Sequence, residues 1–369
     1  MSIVSETHYY QALLVAAIAL LWGVMAWNGT IVALVTAAWS GVLDDGRVLR
    51  TNYTGIFLID FPISVLVAFF FAGTNGSNPD YQLFVLDAYS ILQPAFVWLY
   101  AEELRLDSQQ ICTNPIVWGL VWQAFGGAVA FPAYFLVWLK TRDDINIVRK
   151  GVQKSSMAMA SARAIPFSFL LGAVLPAVIG MMPLWSARSD NMHQIVLALW
   201  SADPVWVSLI QQLLVKAQMM WIPKAAPEQT DITSWWLRVA FFLSATVAGI
   251  THIYALGSLI QSKSDIMALA RIYLPWPDQY PHGAVLPLKY GPWLFLKYDW
   301  VLMSLGSVGW VFFQLQKAQS SAESDWHWAF VVILLLAGCI LLGAGSTVSM
   351  ALFWREGLLQ RKRWREKSN

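Results

Sequence analysis

Around Asp203 the chain reads Trp200-Ser-Ala-Asp203-Pro204-Val-Trp206. Spacings of three put both indoles near the acid's face of a helix. Pro204 lacks an amide hydrogen and disturbs the preceding turn, which leaves backbone carbonyls without partners. A carboxyl group removed from water favours its neutral form, so an acid in such a place can donate a proton at neutral pH, and the ring faces beside it can shelter a cation. The competing reading is an interfacial tryptophan belt with a helix-capping aspartate. In FVWLYAEELR, Trp98 and Glu102 share a helical face, with Ile91 and Pro94 carrying the stripe back toward Asp87. Glu102 is either a second candidate acid or, with Glu103 and Arg105, a marker of the water interface.

Three further acids belong to this set. Asp60 precedes Phe61-Pro62 and lies one turn before Ser64 in GIFLIDFPISVLVAFFF, where it acts as an acid or pairs with Arg47 or Arg50. Asp87 sits in YQLFVLDAYSILQPAFVWLY and is a candidate for contact with substrate or cation. Asp299, beside Trp300, is a candidate acid or the partner of Lys297 in an ion pair. The spacing from Asp87 to Glu102 is about 22 Å along one helix, so the two cannot act on one atom. His252 and Tyr254 lie inside an apolar run, where a lone histidine is more often hydrogen-bonded structure than catalyst.

The elements that must hold these acids are membrane spans. The 369 residues are 57% hydrophobic and 12% charged, with a mean hydropathy of +0.53, which indicates an integral membrane protein without a soluble domain. A hydrocarbon core of about 30 Å needs roughly 20 apolar helical residues. Candidate spans lie near 9–27, 56–73, 81–101, 115–139, 164–184, 195–222, 235–260, 295–315 and 327–350. Their lengths suit helices and not strands. The first apolar run has neither a basic flank nor a small-residue cleavage pattern and reads as a retained span. Residues 1–369 are expected to form one integral membrane domain, all-α, a polytopic transmembrane helix bundle.

Basic residues concentrate in Lys140–Arg163 and in the tail from Arg355 to Lys367, so both regions are expected on the cytoplasmic side. An even number of crossings must then separate them. Segment 195–222, interrupted by Asp203-Pro204 and by Gln211-Gln212, is the weakest, and treating it as broken or re-entrant gives eight spans with both termini cytoplasmic. Nine spans is the alternative. In either case Asp60, Glu102 and Asp203 are expected at one membrane face and Asp87 at the other; Asp299 joins the Asp60 side only with nine.

Absent motifs narrow the chemistry. The chain has no Walker loop, GxGxxG, HExxH or GxSxG. Asp143-Asp144 lacks the third acid of a magnesium-binding diphosphate motif, and Asp44-Asp45 before Gly46 reads as a turn. Cys112 and Cys339 are too few for a thiolate site. No metal, no cofactor, no nucleic-acid partner and no obligate protein partner is expected. The 21 Trp, 19 Phe and 12 Tyr exceed what interface belts require, and Trp98, Trp200, Trp206 and Trp300 beside acids are candidates to line a cation site.

The stretches GVLDDGRVLRTNYTGIFLIDF, FFFAGTNGSNPDYQLFVLD, ILQPAFVWLYAEELR and ALWSADPVWVSLIQQ resemble the fungal integral-membrane meroterpenoid cyclases of the ascofuranone and ascochlorin type, over most of the chain. That resemblance implies an endoplasmic-reticulum enzyme of the isomerase or lyase type. It would protonate a terminal epoxide or alkene on a prenyl chain attached to a phenolic or similar head group, and cyclise it through carbocations without metal. One of Glu102, Asp203 and Asp60 would be the protonating acid and a second would accept the final proton. The proline-rich stretch Leu274 to Pro287 is a candidate lid. The rivals are a lipid enzyme resembling the sterol isomerases, which needs the same acids and rings, and a proton-coupled transporter, which calls for paired broken segments where the sequence offers one.

Overall fold

Long apolar runs fold as helices here because hydrocarbon offers backbone N–H and C=O groups no partner, and a helix pairs them internally. The computed structural model describes residues 3–105, 114–141, 156–181, 188–221, 230–263, 265–276, 286–319 and 325–368. Among them the architecture is all-helical, with one antiparallel bridge between Val42 and Val48 as its sole extended pairing. Five of the described helices are long and apolar enough to cross a membrane: Ser5–Trp27, Phe57–Thr74, Pro79–Glu103, Ser156–Met181 and Ile232–Ser262. Most of the proposed lid and the Asp143-Asp144 pair lie outside the described residues.

The helix Pro79–Glu103 is the axis of the bundle. Asn78 caps its start by accepting from the Tyr81 amide, with Pro79 in the first turn where no amide hydrogen is needed. From Asp87 to Glu102 every residue is buried. Side-chain contacts sort the rest into two ends. At the Glu102 end, Arg355 reaches Glu102 at 2.5 Å, Arg105 lies 3.3 Å from it, and the Trp138 indole N–H donates to it at 3.2 Å. Arg105 and Arg355 both also pair with Glu356. Lys317 pairs with Glu6 at 2.7 Å and lies over the Trp138 ring, which puts it at the same end. At the other end Tyr81 stacks on Trp293, Lys263 pairs with Asp80, and Gln82 donates to the Met181 carbonyl.

Two expected spans differ from the structure. Segment 115–139 is not one helix but two, Pro115–Phe125 and Gly127–Thr141, joined at Gly126 with φ 92°. Across the joint Trp122 meets Phe131 and Trp118 meets Tyr134, pairs nearly equidistant from Gly126, so the halves fold back on each other and Trp138 returns to Glu102. Helices of 11 and 15 residues reach only about 16 and 22 Å, short of a hydrocarbon core. Segment 327–350 likewise divides at Gly343, and its second helix, Ala344–Ser368, runs on through the basic tail. Segment 195–222 is interrupted where the proline signal implies, at Ala202 between Asp190–Ser201 and Asp203–Trp221.

The buried charges at the Glu102 end tie the final helix to the axis. Removing one member of a buried pair leaves the other without compensation, at a cost of about 3–5 kcal/mol. Arg355→Met should therefore lower the thermal midpoint of the detergent-solubilised protein markedly, read by size-exclusion chromatography after heating. The double variant Arg355→Met with Glu102→Gln should lose less than the sum of the two single changes.

Candidate active site

Two of the three interrupted segments, 115–139 and 195–222, meet in the interior. Pro204 packs against Gly119, where an added Cβ would stand 2.5 Å from the proline Cβ. That close approach brings the start of Asp203–Trp221 onto the first half of the hairpin. The Gln123 amide nitrogen then donates to Asp203 Oδ1 at 2.8 Å, and the Gln123 side chain also hydrogen-bonds Tyr89. Asp203 is 1% exposed and its hydrogen-bond partner, the Gln123 amide, is neutral.

Asp299 stands on the other side of Gly126. Its Oδ1 accepts from the Ala128 amide at 2.6 Å and its Oδ2 from the Gly127 amide at 3.3 Å. It thus occupies the start of Gly127–Thr141, where free N–H groups and the helix dipole favour an anion. Both acids are therefore anchored to one irregular turn, Asp203 through Gln123 and Asp299 through Gly127.

A cavity of about 180 Å³ lies against this turn. Its wall is apolar and aromatic, including Trp22, Phe69, Phe70, Trp122 and Phe295, and its polar lining groups are Tyr89, Gln123 and Asp299. Trp200 supports the wall from behind, edge-on to Phe70 at 4.7 Å and to Tyr89 at 4.8 Å. Asp203 is set back from the cavity by Gln123 and Tyr89. The arrangement can give a proton to a hydrophobic guest from one side, face a developing cation with rings, and take a proton on the other.

The remaining acids lie in separate networks. Asp60 closes the loop before its helix, accepting from the Thr54 amide and hydroxyl at 2.8 Å and from the Gly55 amide at 3.0 Å. Arg47 and Arg50 turn elsewhere, Arg47 to Asp45 and Asp190, Arg50 to the Asn52 carbonyl and Asn191. Glu102 is held in the arginine cluster at one end of the bundle. Asp87 accepts from the Tyr273 hydroxyl at 2.7 Å and bonds His252 at 2.7 Å, with Trp300 beside Tyr273. Lys297 donates to the Arg271 carbonyl at 2.6 Å, away from the Asp299 anchor. Trp98 donates to Ser349 Oγ, and Trp206 bonds the Leu199 carbonyl across the Ala202 break.

Of the residues singled out by sequence, Asp203, Asp299 and Trp200 thus come together. Tyr89 and Gln123 were missed. Gln123 had a readable signal, a lone amide in an apolar run three residues before a Gly-Gly pair; Tyr89 had none, being one aromatic among many.

The sequence matches the CtvD domain family over residues 7–360. The chain belongs to that family. Among its relatives, the terpene cyclase DEP1 of Alternaria brassicicola is 24% identical over 356 residues, covering 91% of this chain and 94% of that protein. The terpene cyclase ascI of Acremonium egyptiacum is 24% identical over 295 residues, 78% of this chain and 74% of its own. The terpene cyclase atmA of Aspergillus flavus is 22% identical over 333 residues, 87% of each chain. No solved structure matches. The relatives are of the kind that the sequence resemblance implied.

In this CtvD-family chain Gly126 joins a left-handed backbone to close contact with the candidate site. Its φ of 92° disfavours any side chain, and a Cβ there would meet Asp299 Oδ1 and Phe295 at 3.0 Å. Gly126→Ala should displace the Asp299 carboxylate and lower both thermal midpoint and turnover, the latter by about tenfold or more if a misplacement near 1 Å results. Both are measured on the same purified preparation.

Proposed function

We propose that the chain is a membrane-embedded terpene cyclase that protonates the terminal epoxide, or alkene, of a prenylated phenolic substrate and guides its carbocation to a ring. The observation that carries this reading is the aromatic cavity whose polar wall joins Asp203, through Gln123 and Tyr89, to Asp299. The names of the relatives support the reaction class.

Asp203 supplies the proton and the Tyr89 hydroxyl, held by Gln123, presents it to the substrate oxygen or alkene carbon. Epoxide opening leaves a tertiary cation, which neighbouring double bonds attack in turn. Phe69, Phe70, Phe295 and Trp122 offer it ring faces in a space that excludes water. Asp299 faces the final cation and accepts the proton lost when the last double bond forms, and that proton returns to Asp203 before the next turnover. One proton enters and one leaves, so substrate and product are isomers. Asp60, Glu102 and Asp87 hold the scaffold, and Trp98, Trp206 and Trp300 pack it.

In the proposed topology the Glu102 end is cytoplasmic, in keeping with the basic tail that runs toward it. The crossings are then Ser5–Trp27, Pro79–Glu103, Ser156–Met181, the interrupted pair Asp190–Ser201 and Asp203–Trp221, Thr230–Ser262, Pro287–Ala318, Asp325–Leu342 and Ala344–Ser368, eight in all, while Phe57–Thr74, whose Gly73 meets Tyr81 and whose Thr74 bonds His193, enters and leaves from the end opposite Glu102. The hairpin at Gly126 enters from the cytoplasmic end and returns there. Both termini are cytoplasmic, the membrane is that of the endoplasmic reticulum, and residues 1–369 act as one unit.

Expression in yeast microsomes with an epoxyfarnesyl phenol, followed by mass spectrometry and NMR, tests the proposal. The product should be cyclic and of unchanged mass. Asp203→Asn and Asp299→Asn should insert and purify like the parent yet lose about 10²-fold or more in turnover, the range expected for loss of a general acid or base. Conversion at the parental rate by both variants would refute the assignment.

A further inference from the structure

The cavity is not closed on every side. Most of its wall is buried, but Val35, at 46% exposure, and Ala124 are exposed, and Trp22, Ile31, Val65 and Leu66 are half-buried. These residues bring together the helix Thr30–Ser40, the middle of Phe57–Thr74, the end of the first helix and the hairpin turn. The Trp22 indole fixes one edge of this rim by donating to the Phe125 carbonyl at 3.0 Å.

The surface outside the rim is apolar. Trp27, Val32 and Trp39 are 60%, 67% and 75% exposed, and Phe57, Leu58 and Phe125 are 61%, 82% and 50% exposed. Exposed apolar side chains of this size, set around an opening in a bundle with membrane-length helices, face acyl chains and not water. Tyr89 and Asp299 are buried parts of the lining. An opening with an oily rim and a polar floor admits a long hydrocarbon and sets its leading end against the polar groups.

We infer that the cavity is loaded sideways from the bilayer, through a mouth rimmed by Val35, Val65, Trp22 and Ala124, by the prenyl chain of a membrane-dissolved substrate with its distal end leading. The head group trails at the mouth, and the cyclised product leaves by the same route. This inference rests on the cyclase reading for the identity of the guest, but the mouth itself can be tested apart from turnover.

The test uses full-length protein in sealed microsomes, with Cys112 and Cys339 replaced by serine and a single cysteine placed at position 35. Val35→Cys should react with a lipid-soluble maleimide and resist a charged, membrane-impermeant thiol reagent applied to intact and to opened vesicles. Asp45→Cys, on an exposed loop, should react with the charged reagent in at least one of these preparations. Rapid reaction of Val35→Cys with the charged reagent would overturn the inference. In parallel, Val35→Trp should raise the KM for the epoxyfarnesyl phenol about tenfold with little change in kcat, whereas Val32→Trp, on the same helix but outside the lining, should change neither. Equal behaviour of the two tryptophan variants would also overturn it. If the parent protein forms no cyclic product, the cyclase reading fails by itself and the labelling pattern still decides where the mouth faces.

Discussion

An unpaired amide in hydrocarbon costs several kcal/mol, and that constraint shapes both the fold and the site. A helix can be interrupted inside the bundle only where something else satisfies the backbone it frees. At Gly126 that something is Asp299, whose two oxygens take the amides of Gly127 and Ala128. The acid needs the helix start to compensate its charge, and the helix start needs the acid to satisfy its donors. The Asp299 carboxyl is thereby positioned by the same contact that makes the hairpin turn tolerable.

Asp203 differs from the other buried acids in the company its oxygens keep. Glu102 and Asp60 have their oxygens engaged by guanidinium groups or by a loop's own donors, and Asp87 is engaged by Tyr273 and a histidine. Their protonation would undo contacts that join helices. Asp203 has one neutral amide on one oxygen and lies behind a tyrosine that borders a cavity. Burial alone does not distinguish these groups, since all are nearly inaccessible. The partner does.

Composition and the run lengths of apolar residues made the helical membrane class legible, and the Asp203-Pro204 dipeptide marked a true interruption. Segment 115–139 misled because its halves are equally apolar, so hydropathy reports a span where the chain turns back. The Gly126-Gly127 pair carried the missing information, yet glycine pairs also occur in uninterrupted membrane helices where they serve close packing. The grouping of acids failed for a related reason. Counting faces along the chain puts Asp60 with Glu102 and Asp203, yet Asp60 is held by its own loop, Glu102 by arginines and Asp203 by Gln123, contacts that position along a span does not encode. Asp299, read from sequence as a candidate acid or as the partner of Lys297, is placed by backbone amides, which no side-chain pattern encodes.

Interrupted helices that meet near the middle of a bundle are also how transporters build ion sites, and two such interruptions are present here where the sequence displayed one. The surroundings argue for a different use. A transport path must open in turn to both aqueous sides, whereas this cavity lies between an end tied by the Glu102–Arg355 cluster and an end tied by Tyr81 on Trp293 and by Asp87 with His252 and Tyr273. Its exposed rim faces neither end but the apolar flank of the bundle. A chamber fixed at both ends and open at the side suits a guest that never leaves the membrane. A carbocation in such a chamber meets aromatic rings and one anchored carboxylate in place of water, and that is the condition under which it survives long enough to close a ring.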